Sequence, residues 1–361
     1  MIGSTLHRRL GIVIHLPRVF LHALVQYHWD FLGIGKRMVR AFRHRYLPHE
    51  AFEIGLLNPK TPLENAKGTV SRSEMVQIQQ RLNPQEWESV LQDKGIFSRI
   101  CLAAGLPVPA LYGLFFQKNA GWTVRGKAPQ NSTEWEEFFL RECPEEFVIK
   151  PCRGAYGSGI VVVTRHENQF ESHDGQSWDA PGLVGKLMGD KEYTSFVIQE
   201  RLHNHPSLAA MGGGGVHSFR LVTYVDSEGF AKVVAADMKL IVGRSVVSNL
   251  AHGLHGNLIA DIERTTGRLK KPLIMDVEQG GYREVACHPD SGIALEGFQI
   301  PGWEKIVKVA EDAAGFFLPV RTVGWDIALS ENGPCILEGN IWYDPSLSGY
   351  VSDYWALAYL E

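Results

Sequence analysis

Two short stretches near the C-terminus constrain this chain most: Val323-Gly324-Trp325-Asp326-Ile327-Ala328-Leu329 and Cys335-Ile336-Leu337-Glu338-Gly339-Asn340. Each is an apolar run of strand length that carries one acidic residue. Between them, Glu331-Asn332-Gly333 is a hairpin signal. Register decides what the two acids can do. A two-residue Asn332-Gly333 loop pairs Asp326 with Gly339 and sends Glu338 to the opposite face. A three-residue loop, Glu331 to Gly333, with Gly333 as a left-handed bulge residue, pairs Asp326 directly with Glu338. Asn340 then follows on the same face, because strand side chains alternate with period two. We expect the three-residue loop. Such a hairpin also suits a pair of surface carboxylates. With both acids on one inner face it becomes a set of hard oxygen ligands. Magnesium in particular takes one or two carboxylates plus substrate phosphates.

The remaining composition is that of a soluble globular protein, with 45% hydrophobic and 21% charged residues over 361 positions, enough for about two domains. The net charge of -4 gives no reason to expect nucleic acid. Charge is unevenly placed, however. Residues 1–50 hold eight Lys and Arg against Asp30 and Glu50, a local +6. This basic segment is a candidate for peripheral contact with an anionic membrane surface or an acidic partner, although a helical cap packed on the main body explains it more simply. No uncharged run approaches the ~20 residues of a membrane span, and the broken apolar stretch makes a poor signal peptide. Five widely spaced cysteines, with no Cys-x-x-Cys, argue against disulfides and zinc and for a cytoplasmic setting. Cys152 is conceivable as a nucleophile but reads better as a small buried thiol.

Residues 1–85 read as a basic, mostly helical region. The segment 86–145 follows, with helices between Arg81 and Gly105 opened by Asn83-Pro84 and ended by Leu106-Pro107-Val108-Pro109. It continues with a strand at Leu111 to Phe116 and a helix N-capped by Ser132. The pattern then turns strand-rich over 146–205 and 206–361. A flexible glycine run lies at Met211 to Gly215, a helix at Trp303 to Phe316, and the acidic hairpin follows. Two α+β lobes fit this order better than a parallel βαβ series.

The second informative feature is Phe147-Val148-Ile149-Lys150-Pro151-Cys152-Arg153-Gly154-Ala155-Tyr156-Gly157-Ser158-Gly159. A strand delivers Lys150, and a glycine loop returns into another strand. Glycines let backbone N–H groups approach phosphate oxygens. No Gly-Lys-Ser/Thr closes the loop and no G-x-G-x-x-G opens a helix, so it would act as a flap rather than a Walker cradle. Gln199-Glu200-Arg201-Leu202 ends a later strand and could meet a nucleotide base, or be solvated charge. Arg220 sits mid-strand between Phe219 and Leu221, where a guanidinium needs an anion. Lys239 lies on the next strand and Asn249 follows it. His252 and His255 are three apart, but no third ligand stands near, so a metal role is not expected of them.

In this order the residues resemble the ATP-grasp superfamily, most closely its sugar-transfer-associated group, over about Asp93 to Asn340. Asp93-Lys94-Gly95-Ile96-Phe97, the Lys150 loop, Val197-Ile198-Gln199-Glu200, Arg220, His288-Pro289-Asp290-Ser291-Gly292, Gly324-Trp325-Asp326 and Leu337-Glu338-Gly339-Asn340 carry the resemblance. It implies an ATP-grasp fold of class α+β, two lobes clasping a nucleotide, with a mostly helical N-terminal extension. ATP would be held by Lys94, Lys150, Gly154, Tyr156, Gly157, Ser158, Gly159, Gln199, Glu200, Arg201 and Leu202. Asp326, Glu338 and Asn340 would hold Mg2+, and Arg220, Lys239 and Asn249 would be catalytic. Lys239 stands where the group usually has Arg, and Gly253-Leu254-His255-Gly256 replaces a more regular Gly-Gly run.

The resemblance implies an ATP- and magnesium-dependent ligase that activates a carboxylate as an acyl phosphate for attack by an amine or similar nucleophile. Its substrates would be small molecules, and its setting cell-surface polysaccharide or secondary metabolite biosynthesis. A phosphotransferase on a hydroxyl or sugar-linked acceptor, and a nucleotide-binding regulator at the membrane, are the alternatives. The oligomeric state is open.

Overall fold

The computed structural model describes residues 19–28, 30–61, 70–154, 157–248, 256–276, 278 and 280–345. Helical residues 19–26 precede α1 (Phe31–Arg43), which Asp30 caps by accepting from the Gly33 N–H at 2.8 Å. Ile34, Met38 and Ala41 recur at helical spacing and pack with Tyr46, Ile54 and Leu57 into a small separate core. Arg37 closes it by donating to the carbonyls of Leu56, Pro59 and Thr61. α2 (Pro48–Glu53) completes this cap. No described helix is long and apolar enough to cross a membrane.

α3 (Arg72–Leu82) begins in a capping box between Ser71 and Glu74. Grouped with the N-terminal region on sequence, it belongs instead to the main body. Its Met75 and Ile78 pack on Val222, Tyr224 and Val234. Asn83, expected to open a helix, ends this one and is buried. Its amide donates to the Thr322 and Ile341 carbonyls and accepts from the Arg321 and Thr322 N–H groups.

The first lobe follows α4 (Glu88–Gln92) and α5 (Lys94–Ala103). Its elements are β1 (Leu111–Phe116), β2 (Trp122–Thr123), α6 (Ser132–Arg141), β3 (Glu146–Pro151), β4 (Val161–His166), β5 (Gln169–Ser172), β6 (Ser177–Asp179), α7 (Ala180–Met188) and β7 (Ser195–Glu200). The strands form one antiparallel sheet in the order β2-β1-β7-β3-β4-β5-β6. Phe147, Ile149, Phe196 and Ile198 point to one face and pack under Trp135, Phe138 and Phe139 of α6 and Leu183 and Leu187 of α7. Alternation therefore leaves Val148 and Lys150 on the other face. Asn131, not Ser132, caps α6.

The second lobe contains α8 (Pro206–Ala209), β8 (Ser218–Val225), β9 (Ala231–Leu240), β10 (Leu258–Glu263), β11 (Arg268–Leu269), β12 (Leu273–Met275), β13 (Tyr282–Glu284), α9 (Trp303–Phe316), β14 (Thr322–Ser330) and β15 (Gly333–Asn340). Its main sheet runs β13-β12-β10-β9-β8-β14-β15. Trp303, Ile306, Ala310 and Ala313 of α9 and Phe97 of α5 cover one face, meeting Phe219, Leu221, Val323, Trp325 and Ile327. Each of the fully buried Ile, Leu, Val and Phe side chains contributes roughly 1.5–3 kcal/mol. Because Trp325 faces this core, Asp326 faces the cleft.

The acidic hairpin reaches the expected pairing by a different route. Ser330 pairs with Gly333, so the turn is only Glu331-Asn332. Continued without interruption, that register would place Leu337 opposite Asp326 and turn Glu338 toward the core. A β-bulge at Leu337 shifts the ladder by one, so Ile327 pairs with Ile336 but Asp326 pairs with Glu338. The glycine run near residue 213 also differs from expectation. It is close-packed, and a Cβ on Gly214 or Gly215 would lie 2.8–3.0 Å from the backbone of Arg244 or Val246.

Candidate functional site

A row of charged residues crosses the second sheet. Asp261, Asp237, Arg220, Asp326 and Glu338 are successive cross-strand partners, so their side chains share one face. Arg220 donates to Asp326 from Nε to Oδ1 at 2.7 Å and from Nη2 to Oδ2 at 2.9 Å. Lys239 Nζ adds a third bond to Oδ1 at 2.9 Å. Burial by itself would lower the Arg220 pKa, but the Asp326 carboxylate outweighs it and keeps the guanidinium firmly charged. Burial would likewise raise the Asp326 pKa, yet Arg220 and Lys239 hold it well below the usual carboxylate range.

The first lobe brings Lys150 to the same cleft. Burial, with the nearby Lys94 charge, lowers its pKa to about 8. Lys94 opens α5, where its N–H donates to the Cys152 carbonyl at 2.8 Å. Its Nζ donates to the Gly154 carbonyl at 3.0 Å and lies 3.4 Å from Glu338 Oε2. One lysine thus joins the start of the glycine loop to the acidic hairpin. The loop crosses the cleft. Gly157, at φ +76°, comes so near the second lobe that a Cβ would sit 2.2 Å from Val247 Cγ1. Gly159, at φ +73°, packs instead on Pro151 and Tyr193. Cys152 is buried, and burial pushes its thiol up to about 11, which suits a packing role and not a nucleophile.

Between the sheets lies a cavity of about 360 Å³. Lys94, Lys150, Lys239, Asp326 and Glu338 line one part of it, with Gly154, Gly157 and Ser158 alongside. Val148, Glu200, Arg201 and Leu202 also line it. Glu200 is set in place by two bonds to Ala110: its Oε2 accepts from the Ala110 N–H, and its own N–H donates to the Ala110 carbonyl, at 3.0 and 2.9 Å. Arg201 pairs with Glu146.

Four expected residues are placed away from the cavity wall. Arg220 sits behind Asp326. Gln199 is buried, and its side chain donates to Ser98 Oγ of α5 at 2.8 Å. Gly159 serves the loop's return. Asn340 stands beside the hairpin, donating to Glu338 Oε1 and the Gly324 carbonyl at 3.3 and 3.2 Å. Tyr156, Asn249, His252 and His255 lie outside the described residues.

The oxygen set suits magnesium, with one revision. Glu338 is half-buried and Asn340 steadies it. Asp326 is first of all a counter-ion. A carboxylate offers about four lone-pair sites, and Arg220 and Lys239 occupy three of those on Asp326. One site on Oδ2 is left for a metal. Among the described residues no cluster of three His, Cys, Asp or Glu could hold a metal ion.

Sequence reasoning missed several residues. Ser218 and Ser248 line the cavity and share a hydrogen bond of 2.6 Å. Asn204 also lines it; its Nδ2 donates to the Gly215 carbonyl and its Oδ1 accepts from the His217 N–H. Ser218 could have been found, since it shares the face of Arg220 two residues on. Asn204 lies in an irregular link with no periodicity to reveal it.

The family model for sugar-transfer associated ATP-grasp proteins matches residues 73–350. No curated protein sequence matches. Similar solved structures include biotin carboxylase from Campylobacter jejuni, at 11% identity and a TM-score of 0.41, covering 73% of this chain and 43% of that one. L-amino acid ligase from Bacillus licheniformis matches at 13% and 0.38, covering 71% and 42%. Phosphoribosylamine–glycine ligase from Thermotoga maritima matches at 12% and 0.41, covering 75% and 54%. This chain spans roughly half the length of those proteins. The family match starts within α3, the helix that packs on the second sheet, and runs past the acidic hairpin: the chain belongs to the sugar-transfer associated ATP-grasp family and has the ATP-grasp fold.

Proposed function

We propose that this protein is an ATP- and magnesium-dependent ligase, activating a carboxylate as an acyl phosphate that an amine or similar nucleophile attacks. The convergence of Lys94, Lys150 and Lys239 with Glu338 on one glycine-bordered cavity supports this reading most strongly. Phosphoryl transfer asks mainly for positioning and charge neutralisation. Lys94 and Lys150 would neutralise the polyphosphate. Arg220 and Asp326 form a rigid pair that fixes Lys239 at the reacting end. Glu338, Asn340 and the remaining lone pair of Asp326 would hold magnesium, which supplies further neutralisation of the transferring phosphoryl group. The 154–158 loop would exclude water from the reactive intermediate. Glu200 and the backbone of Arg201 and Leu202 would take the base.

The test is product analysis with magnesium and ATP, against pooled carboxylic acids, amines and sugar-linked acceptors. A ligase yields ADP, free phosphate and a new amide or ester. Phosphate retained on an acceptor hydroxyl would replace this proposal with a phosphotransferase.

A further inference from the structure

α1 bears several exposed apolar side chains. Its Ile34, Met38 and Ala41 are buried. Turned away from these, Leu32 is 79% exposed and Val39 51%, while Phe31, next to Met38 on the helix, is 54% exposed. At 100° per residue, Phe31, Gly35, Val39 and Leu32 fall within about 100° of arc, and Arg43, Lys36 and Arg40 occupy the next ~80°. The helix contains no acidic residue. Together these side chains line one shallow depression. Arg40 Nε is buried there with no hydrogen-bond partner among the described residues. On the preceding helical stretch Leu21 and Val25 are also exposed, 55% and 57%. Single exposed leucines are ordinary, but an apolar strip edged by three cations has the form of a helix that lies in a membrane interface.

We propose that this face docks on an anionic phospholipid surface. Leu32 and Val39 enter the boundary between headgroups and acyl chains. Lys36, Arg40 and Arg43 meet headgroup phosphates. Charge favours this occupant over the others. A second copy of the chain would bring the same three cations to the border, and an acidic protein would match the cations but not the adjoining apolar strip. An anionic bilayer offers phosphates and hydrocarbon side by side. The local +6 of residues 1–50, in a chain of net -4, would also turn this end toward such a surface.

Co-sedimentation of the full chain with phosphatidylcholine vesicles, with and without phosphatidylglycerol, tests this. We expect binding only to the phosphatidylglycerol vesicles, weakening as salt rises. Lys36→Glu with Arg43→Glu, and separately Leu32→Glu with Val39→Glu, should each cut the bound fraction about tenfold or more. Both pairs are remote from the cleft, so melting temperature and magnesium–ATP binding should not change. Three results would overturn the proposal: no pelleting with either vesicle, equal pelleting on phosphatidylcholine alone, or a dimer in sedimentation analysis that Leu32→Glu dissociates.

Discussion

Arg220 and Asp326 face each other across β8 and β14 and are joined by a two-bond fork, at 2.7 and 2.9 Å, with Lys239 closing on the same carboxylate. The arrangement is asymmetric: one carboxylate binds two cations, with Asp237 and Glu338 adding weaker charge near Arg220. Asp326→Asn removes the principal counter-charge and should cost about 3 kcal/mol of stability. Lys239→Met leaves the fork intact and should cost less. Chemical denaturation of the two variants checks the order. Equal losses would mean that the lysine, not the fork, carries the coupling.

Lys150 sets a pH dependence. Its pKa falls from an ordinary value of 10.5 to about 8 in the folded protein. Between those values the unfolded chain holds more protons on this residue, so its contribution to stability rises with pH through that window. Below about 8 the folded protein carries the cost of a buried ammonium. Polyphosphate favours the charged form, so ATP affinity should decline as pH rises through about 8, with proton uptake on binding above it. Lys150→Met should be at least as stable as the parent at pH 7, bind ATP more weakly and lose this pH dependence. Calorimetry in buffers of different ionisation enthalpy measures the proton uptake directly.

The glycine loop is held by close approach. Gly157→Ala must place a Cβ against Val247 and adopt a left-handed conformation, at a cost of ~1–2 kcal/mol for the latter. Referred to the closed loop, this corresponds to about tenfold weaker ATP binding. Adding Val247→Ala should recover the steric part only. Full recovery would remove backbone strain from the account.

Asn83 makes four buried hydrogen bonds that tie α3 to the ends of β14 and β15. Asn83→Ala strands two carbonyls and two N–H groups, and should lower stability by about 3 kcal/mol or more. A thermal shift within experimental error of the parent would contradict it.

These particulars show what the sequence revealed and what it hid. Period-two alternation and isolated charges in apolar strands made Lys150, Arg220, Asp326 and Glu338 legible. The pairing of Asp326 with Glu338 was legible too, although the bulge at Leu337 that produces it was not, since turn length and bulge position give the same register further along. Asn83 looked like a helix opener because Asn-Pro is a local signal, whereas its partners lie more than 230 residues away. The side-chain partner of Gln199 was hidden for a related reason. The strand position of Gln199 was right, but Ser98, which takes its amide, comes from a helix packed across the sheet.

Glu338 is the principal metal ligand in the ATP site proposed for this cleft. The direct measurement is magnesium-dependent ATP turnover by the parent and by Glu338→Gln, with both melting temperatures recorded. Turnover should be lost in the variant while its melting temperature stays close to that of the parent. Unchanged turnover by a folded Glu338→Gln protein would contradict it.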